Sequence, residues 1–104
     1  MIVCDEMQQL RKMLDKKKIL WVDNSESERE DEEFPIWYCR TRFEYNGKNW
    51  SAVNGFGTYG GWGGANLNAE SESKNLGLLE LYDWQHEPVG WLTAKEAMLL
   101  VCGN

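Results

Sequence analysis

Asn46-Gly47 is the feature that most constrains how this chain can fold. The pair favours a two-residue type I′ reversal, whose central positions both need positive φ. Alternating apolar and polar residues flank it over 36–45 and 48–54. With two residues in the turn, Tyr45 faces Lys48, Phe43 faces Trp50 and Thr41 faces Ala52. One face then carries Trp37, Cys39, Thr41, Phe43, Tyr45, Trp50 and Ala52. The other carries Tyr38, Arg40, Arg42, Glu44, Asn49 and Ser51, with Val53 as its apolar exception. The first face reads as core and the second as solvated, the pattern of an antiparallel sheet covered on one side. A slip of one residue breaks the pairing of Phe43 with Trp50, so the register is strongly specified.

The segments around the hairpin complete an architecture. Residues 5–17 read as an amphipathic helix, with Asp5 as cap and Gln8 at the capping-box position. Val3, Met7, Leu10 and Leu14 form one apolar stripe for docking on the sheet. Lys16-Lys17-Lys18 stand at the expected helix end, where cations oppose the helix dipole. Ile19 to Val22 reads as a strand, and so does Leu76 to Tyr82. In the latter, Leu79 and Leu81 point one way, while Leu78, Glu80 and Tyr82 point the other, with Glu80 in reach of Arg40 or Arg42. Pro88 and Gly90 mark a turn. Thr93-Ala94-Lys95-Glu96 is a capping box that opens a helix over 94–102, buries Ala94, Ala97, Met98 and Val101, and ends at Gly103. The expected fold is α+β. A single, mostly antiparallel four-stranded sheet carries an N-terminal and a C-terminal helix on one face, in the order α-β-β-β-β-α.

A chain of 104 residues with 42% hydrophobic side chains makes one domain, 1–104. The formal net charge is −6, and the acidity is local. Seven of the seventeen acids lie between Asp23 and Glu33, opposed only by Arg29. Residues 23–33 contain no apolar side chain, so the stretch up to 34 is expected to be a mobile acidic loop. Direct contact with a nucleic-acid backbone is disfavoured, because phosphates need a basic stripe. Cys4, Cys39 and Cys102 are widely spaced in apolar contexts and read as buried thiols in a reducing cytoplasm. No apolar run approaches the length that crosses a bilayer, and membrane partners are not expected.

Six of the ten glycines fall between Gly55 and Gly64, together with Phe56, Tyr59 and Trp62. Gly55 to Gly60 matches G-x-G-x-x-G. The dinucleotide version of that motif needs a helix directly after it, and Gly61-Trp62-Gly63-Gly64 cannot open one. The kinase version needs a strand lysine, a catalytic loop and far more chain. No cofactor is therefore expected. The stretch 55–75 reads as a glycine–aromatic loop at the sheet's end. Exposed rings mark contact surfaces, so Phe56, Tyr59 and Trp62, with Trp84 and Trp91 nearby, are the candidate binding residues. His86 is the only histidine, which excludes His-pair metal sites, and no metal is expected. Glu80 and Asp83 stand three apart on or near a strand, hence on opposite faces, which argues against a paired acid and base.

Trp50 to Gly61 (W-S-A-V-N-G-F-G-T-Y-G-G), Gly77 to Leu81 (G-L-L-E-L) and Pro88 to Ala94 (P-V-G-W-L-T-A) carry a resemblance. With the leading helix and Ile19 to Ser25, they resemble small uncharacterised proteins from bacteriophages and mobile elements of Gram-positive gut bacteria. The resemblance implies an origin and no catalytic residue. The functional expectation is a non-enzymatic accessory protein that binds a protein partner. One alternative is an acidic inhibitor that mimics nucleic acid and blocks a host nucleic-acid-binding protein. Another is a small enzyme using Glu80 or His86. The free edges of the sheet also leave room for a homodimer.

Overall fold

The computed structural model describes residues 4–28, 36–55, 58 and 77–103, with backbone alone at 26–28 and 36–38. The elements run α1 (Asp5–Lys16), β1 (Trp21–Asp23), β2 (Glu26–Glu28), β3 (Ile36–Tyr45), β4 (Lys48–Gly55), β5 (Leu79–Tyr82), β6 (Val89–Leu92) and α2 (Ala94–Cys102). The fold is α+β, with one antiparallel sheet and two helices. Asn46 at φ 53° and Gly47 at φ 75° make the reversal. Phe43 pairs with Trp50 and Tyr45 with Lys48, as the turn chemistry requires.

The sheet has five positions, not the four expected from sequence, in the order β1-β3-β4-β5-β6. One correction accounts for the difference. Val89–Leu92 is a strand where Pro88 and Gly90 had indicated only a turn. Proline is tolerated just before a strand, and this one lies at the sheet edge. Its pairing with β5 is irregular between Leu79 and Leu81, and Trp91 takes φ 61°. In addition, β2 pairs Glu26 with Tyr38, in the register in which β1 pairs Trp21 with Phe43. The two are one edge line, interrupted at Asn24 and Ser25. There the Asn24 N–H donates to the Arg40 carbonyl at 2.9 Å, but the Arg40 N–H goes to Ser25 Oγ at 3.1 Å. A side-chain hydroxyl thus takes over one ladder bond. The acid-rich stretch accordingly begins as strand, through backbone pairing that needs no apolar side chain. Its continuation over 29–34 lies outside the described residues.

Both helices cover the face that carries Cys39, Phe43, Trp50, Ala52, Leu79, Leu81 and Leu92. α1 lies over β3 and β4, and α2 over β5 and β6. Met7, Leu10 and Leu14 of α1 are fully buried, and Ala97, Met98 and Val101 of α2 join the same core. α1 runs over nearly the expected residues, but its cap lies one residue before Asp5. Cys4 holds the N-cap position, Asp5 lies inside the first turn, and no side chain caps the helix. The opposite face departs from the expected pattern at Ser51, which is buried along with Val53. Ser51 stands in register between Arg42 and Tyr82, and the Trp84 ring contacts both of those neighbours.

Candidate functional site

Asp83 organises the hairpin end of the sheet. It directly follows β5, and its side chain is 6% exposed. One carboxylate oxygen accepts the backbone N–H groups of Gln85 (3.0 Å) and His86 (2.8 Å), which folds residues 83–86 into a tight turn. The other oxygen meets Lys48 Nζ at 3.0 Å and His86 Nδ1 at 2.8 Å. A carboxylate can only accept, so the hydrogen bond places a proton on Nδ1. His86, then Lys48 and the two amides, hold the Asp83 carboxyl below the usual carboxylate range, against the opposing effect of burial. Lys48 also lies over the Trp50 ring, 4.9 Å from its centre.

That turn sets Trp84 in an unusual state. Its φ is 62°, a left-handed conformation that bulky side chains seldom adopt. Such conformations persist where the surroundings over-determine them. Here the Asp83 bonds clamp the backbone on one side of the residue. On the other, the indole packs on Tyr82 at 5.3 Å between ring centres, and the Arg42 guanidinium sits 5.0 Å from the indole centre. Trp84 is still 47% exposed. A large ring is therefore fixed in place and half presented to solvent.

Trp84 lines a groove of ≈ 830 Å³ that runs past the Asn46-Gly47 turn to β1. Its far wall is Leu20, 92% exposed, and Val22, 64% exposed. A smaller cleft of ≈ 200 Å³ shares Lys48, Trp50 and Asp83 with the groove and adds His86, Val89 and Leu100. Comparisons with protein-family models, curated proteins and solved structures return no match.

The residues expected to bind fare differently from one another. Phe56, Tyr59 and Trp62 lie outside the described residues. Of their loop, only its start is described, where Thr58 Oγ1 donates to the Gly55 carbonyl at 2.8 Å and accepts the Gly55 N–H at 3.1 Å. Trp84 lines the groove, and Trp91 is half-buried in β6. Leu20, Val22, Arg42 and Asp83 were missed as site residues. In the sequence, Leu20 and Val22 read as an ordinary strand. Asp83 carried a usable signal, since aspartate two and three residues before free amides commonly nucleates a turn.

The arrangement offers one oriented imidazole and a concave surface with exposed apolar side chains. Asp83 orients the His86 imidazole as a carboxylate orients a general base. However, His86 is 73% exposed, and no serine, threonine or cysteine is among the described residues lining either cavity. Glu80 belongs to the opposite side of β5 from Asp83, pairing with Val53 while Leu79 and Leu81 face the core. Among the described residues, no group of three or more potential ligands is placed to hold a metal. No described helix is long and apolar enough to cross a membrane.

Proposed function

We propose that this chain is a partner-binding module whose contact surface is the groove between β1 and Trp84. The observation that carries the reading is the meeting of three exposed apolar side chains, Leu20, Val22 and Trp84, on one cavity. Scattered exposed leucines need no explanation, whereas a cluster on a concave surface does. Trp84 has the qualities of an anchor: large, rigid and held before the partner arrives.

The edge beside the groove favours an extended segment of a partner protein. Val22 and Asn24 direct their backbone groups to β3, so Trp21 and Asp23 direct theirs away from it. An incoming strand would pair there and lay alternate apolar side chains against Leu20 and Val22. On the sequence resemblance alone, we place the module among accessory proteins of phages or mobile elements.

The test compares wild type with the double variant Leu20→Ser/Trp84→Ala. Leu99→Ser, on an exposed position of α2 that lines neither cavity, serves as control. All three should give the same far-ultraviolet spectrum and close melting midpoints. Capture of a host-lysate protein should fall at least tenfold for the groove variant and stay unchanged for the control. Equal capture by both variants defeats the proposal. Sedimentation of the purified chain shows whether the groove instead takes a second copy.

A further inference from the structure

The buried thiols offer a second chemistry, remote from the groove. Cys4 stands at the N-cap of α1, and Cys39 lies on β3 beneath it. Cys39 is fully buried, while Cys4 is half-buried and packs against the same core cluster. The packing of α1 on β3 brings both into one core cluster. The flanking contacts fix this approach. One helical turn on from Cys4, Met7 Sδ accepts from Thr41 Oγ1 at 3.0 Å, and Thr41 is two residues on from Cys39 in β3. Helix and strand are thus locked alongside each other, with Cys4 one helical turn before Met7 and Cys39 two strand positions before Thr41.

Cys102 is excluded from the pair by the fold. The Glu6 carboxylate accepts the Ala94 N–H at 3.0 Å, so the start of α2 meets the start of α1. Cys102 closes α2, roughly 12 Å farther along the helix axis. That offset sets its thiol apart from the start of α1, where Cys4 stands.

We propose that Cys4 and Cys39 form an oxidisable dithiol that closes into a disulfide stapling the N-terminus of α1 to β3. The oxidant is a low-molecular-weight disulfide, RSSR, reaching the half-exposed member of the pair. The pair sheds one proton; Cys4, the reachable sulfur, then passes its own proton to Cys39 as it attacks one sulfur of RSSR, forms a mixed disulfide and releases RS⁻, which takes that proton from Cys39. The Cys39 thiolate then attacks the Cys4 sulfur and expels the second RS⁻. Overall, two protein thiols lose two electrons and two protons, and RSSR becomes two RSH. The closed loop contains β1 and β2, so oxidation would fix the base of the edge that carries Leu20 and Val22.

The electrostatics favour the first deprotonation. The Cys4 S–H, then the Cys4 backbone N–H, the Arg11 guanidinium and the Asn54 backbone N–H hold the Cys39 thiol low, against its burial. The Cys39 sulfur, with burial, holds the Cys4 thiol high. One proton therefore leaves the pair readily and the second is retained, as in other coupled sites.

The experiment equilibrates the full chain in glutathione buffers of stepped ratio, traps the thiols with acid and alkylator, and maps the peptides by mass. Expected is a reversible Cys4–Cys39 link in wild type and in Cys102→Ser, with a rise of about 10 °C in melting midpoint. Cys4→Ser should keep the fold, since serine is a preferred N-cap residue, and should show no link. Thiols that stay reduced at the most oxidising ratio, a glutathione adduct that persists on Cys4, or a link through Cys102 would each overturn the proposal.

Discussion

The two helices lie side by side on one sheet face, yet they are secured in opposite ways. α2 is specified locally. Thr93 Oγ1 accepts the Glu96 N–H at 3.2 Å, Glu96 accepts the Thr93 N–H at 3.1 Å, and Gly103 closes the helix at φ 73°. α1 has no side-chain cap and ends through Lys18 at φ 60°. It is secured by distant parts of the chain. Met7, Leu10 and Leu14 are completely buried, each worth roughly 1.5–3 kcal/mol. Arg11 adds a polar tie, donating to Thr41 Oγ1 at 2.8 Å, to Asp23 Oδ1 at 3.1 Å and to the Arg40 carbonyl at 3.3 Å. The same guanidinium lies 4.7 Å from the Trp21 ring centre. Local signals suffice for a helix at the end of the chain. The helix that orders the β1 edge depends on the completed core.

The largest expected effect tests that dependence. Leu10→Ala should lower stability by about 2–5 kcal/mol, because a fully buried leucine leaves a cavity. Urea denaturation would measure it, and a loss under 1 kcal/mol would mean that α1 is not anchored through its stripe. Arg11→Met should cost about 2 kcal/mol, the scale of a charged hydrogen bond with its partner Thr41 left in the core. Hydrogen exchange should then quicken in β1 and leave α2 unchanged. The tie is also pH-sensitive. Ser25, then Arg11, hold the Asp23 carboxyl below its ordinary value. Its contribution is present above the unfolded carboxylate pKa and is lost as pH falls through the lower folded value. Exchange in β1 should therefore rise on acidification before exchange in α2 does, and Asp23→Asn should abolish that difference.

What could be read in the sequence follows the same division. Elements governed by neighbours in the chain were legible: the Asn46-Gly47 reversal, the register of Phe43 with Trp50, and both ends of α2. The buried stripe Met7, Leu10 and Leu14 was legible through its period. β6 was not, because Pro88 and Gly90 argue locally for a turn and only pairing with β5 makes Val89–Leu92 a strand. Ser51 was not, since its burial depends on a tryptophan thirty-three positions away folding back across the sheet. The groove was hidden for the same reason. Leu20 and Trp84 share a cavity only because β1 and β5 flank the hairpin on opposite sides. Alternation alone shows which face each residue joins, not which distant residue it meets.

Two smaller substitutions sharpen the contrast between the helices from their ends. Thr93→Ala removes the reciprocal cap of α2 and should cost about 1 kcal/mol. That loss is large for a partly exposed residue, and a null result would show that α2, too, is held by packing. Lys18→Gly should act in the other direction. The Ile19 N–H reaches the Leu14 carbonyl at 2.9 Å and the Lys18 N–H reaches the Asp15 carbonyl at 3.0 Å, the paired bonds of a Schellman closure. Lys18 occupies the position of that closure where glycine has no steric penalty. Replacing it should raise stability by about 0.5–1 kcal/mol in thermal or urea unfolding. The gain would survive in a Leu10→Ala background, because the strain relieved is in the backbone and independent of the core. If the glycine variant is instead less stable, the left-handed residue is carrying packing through its own stem, and α1 depends on tertiary contacts even at its last turn.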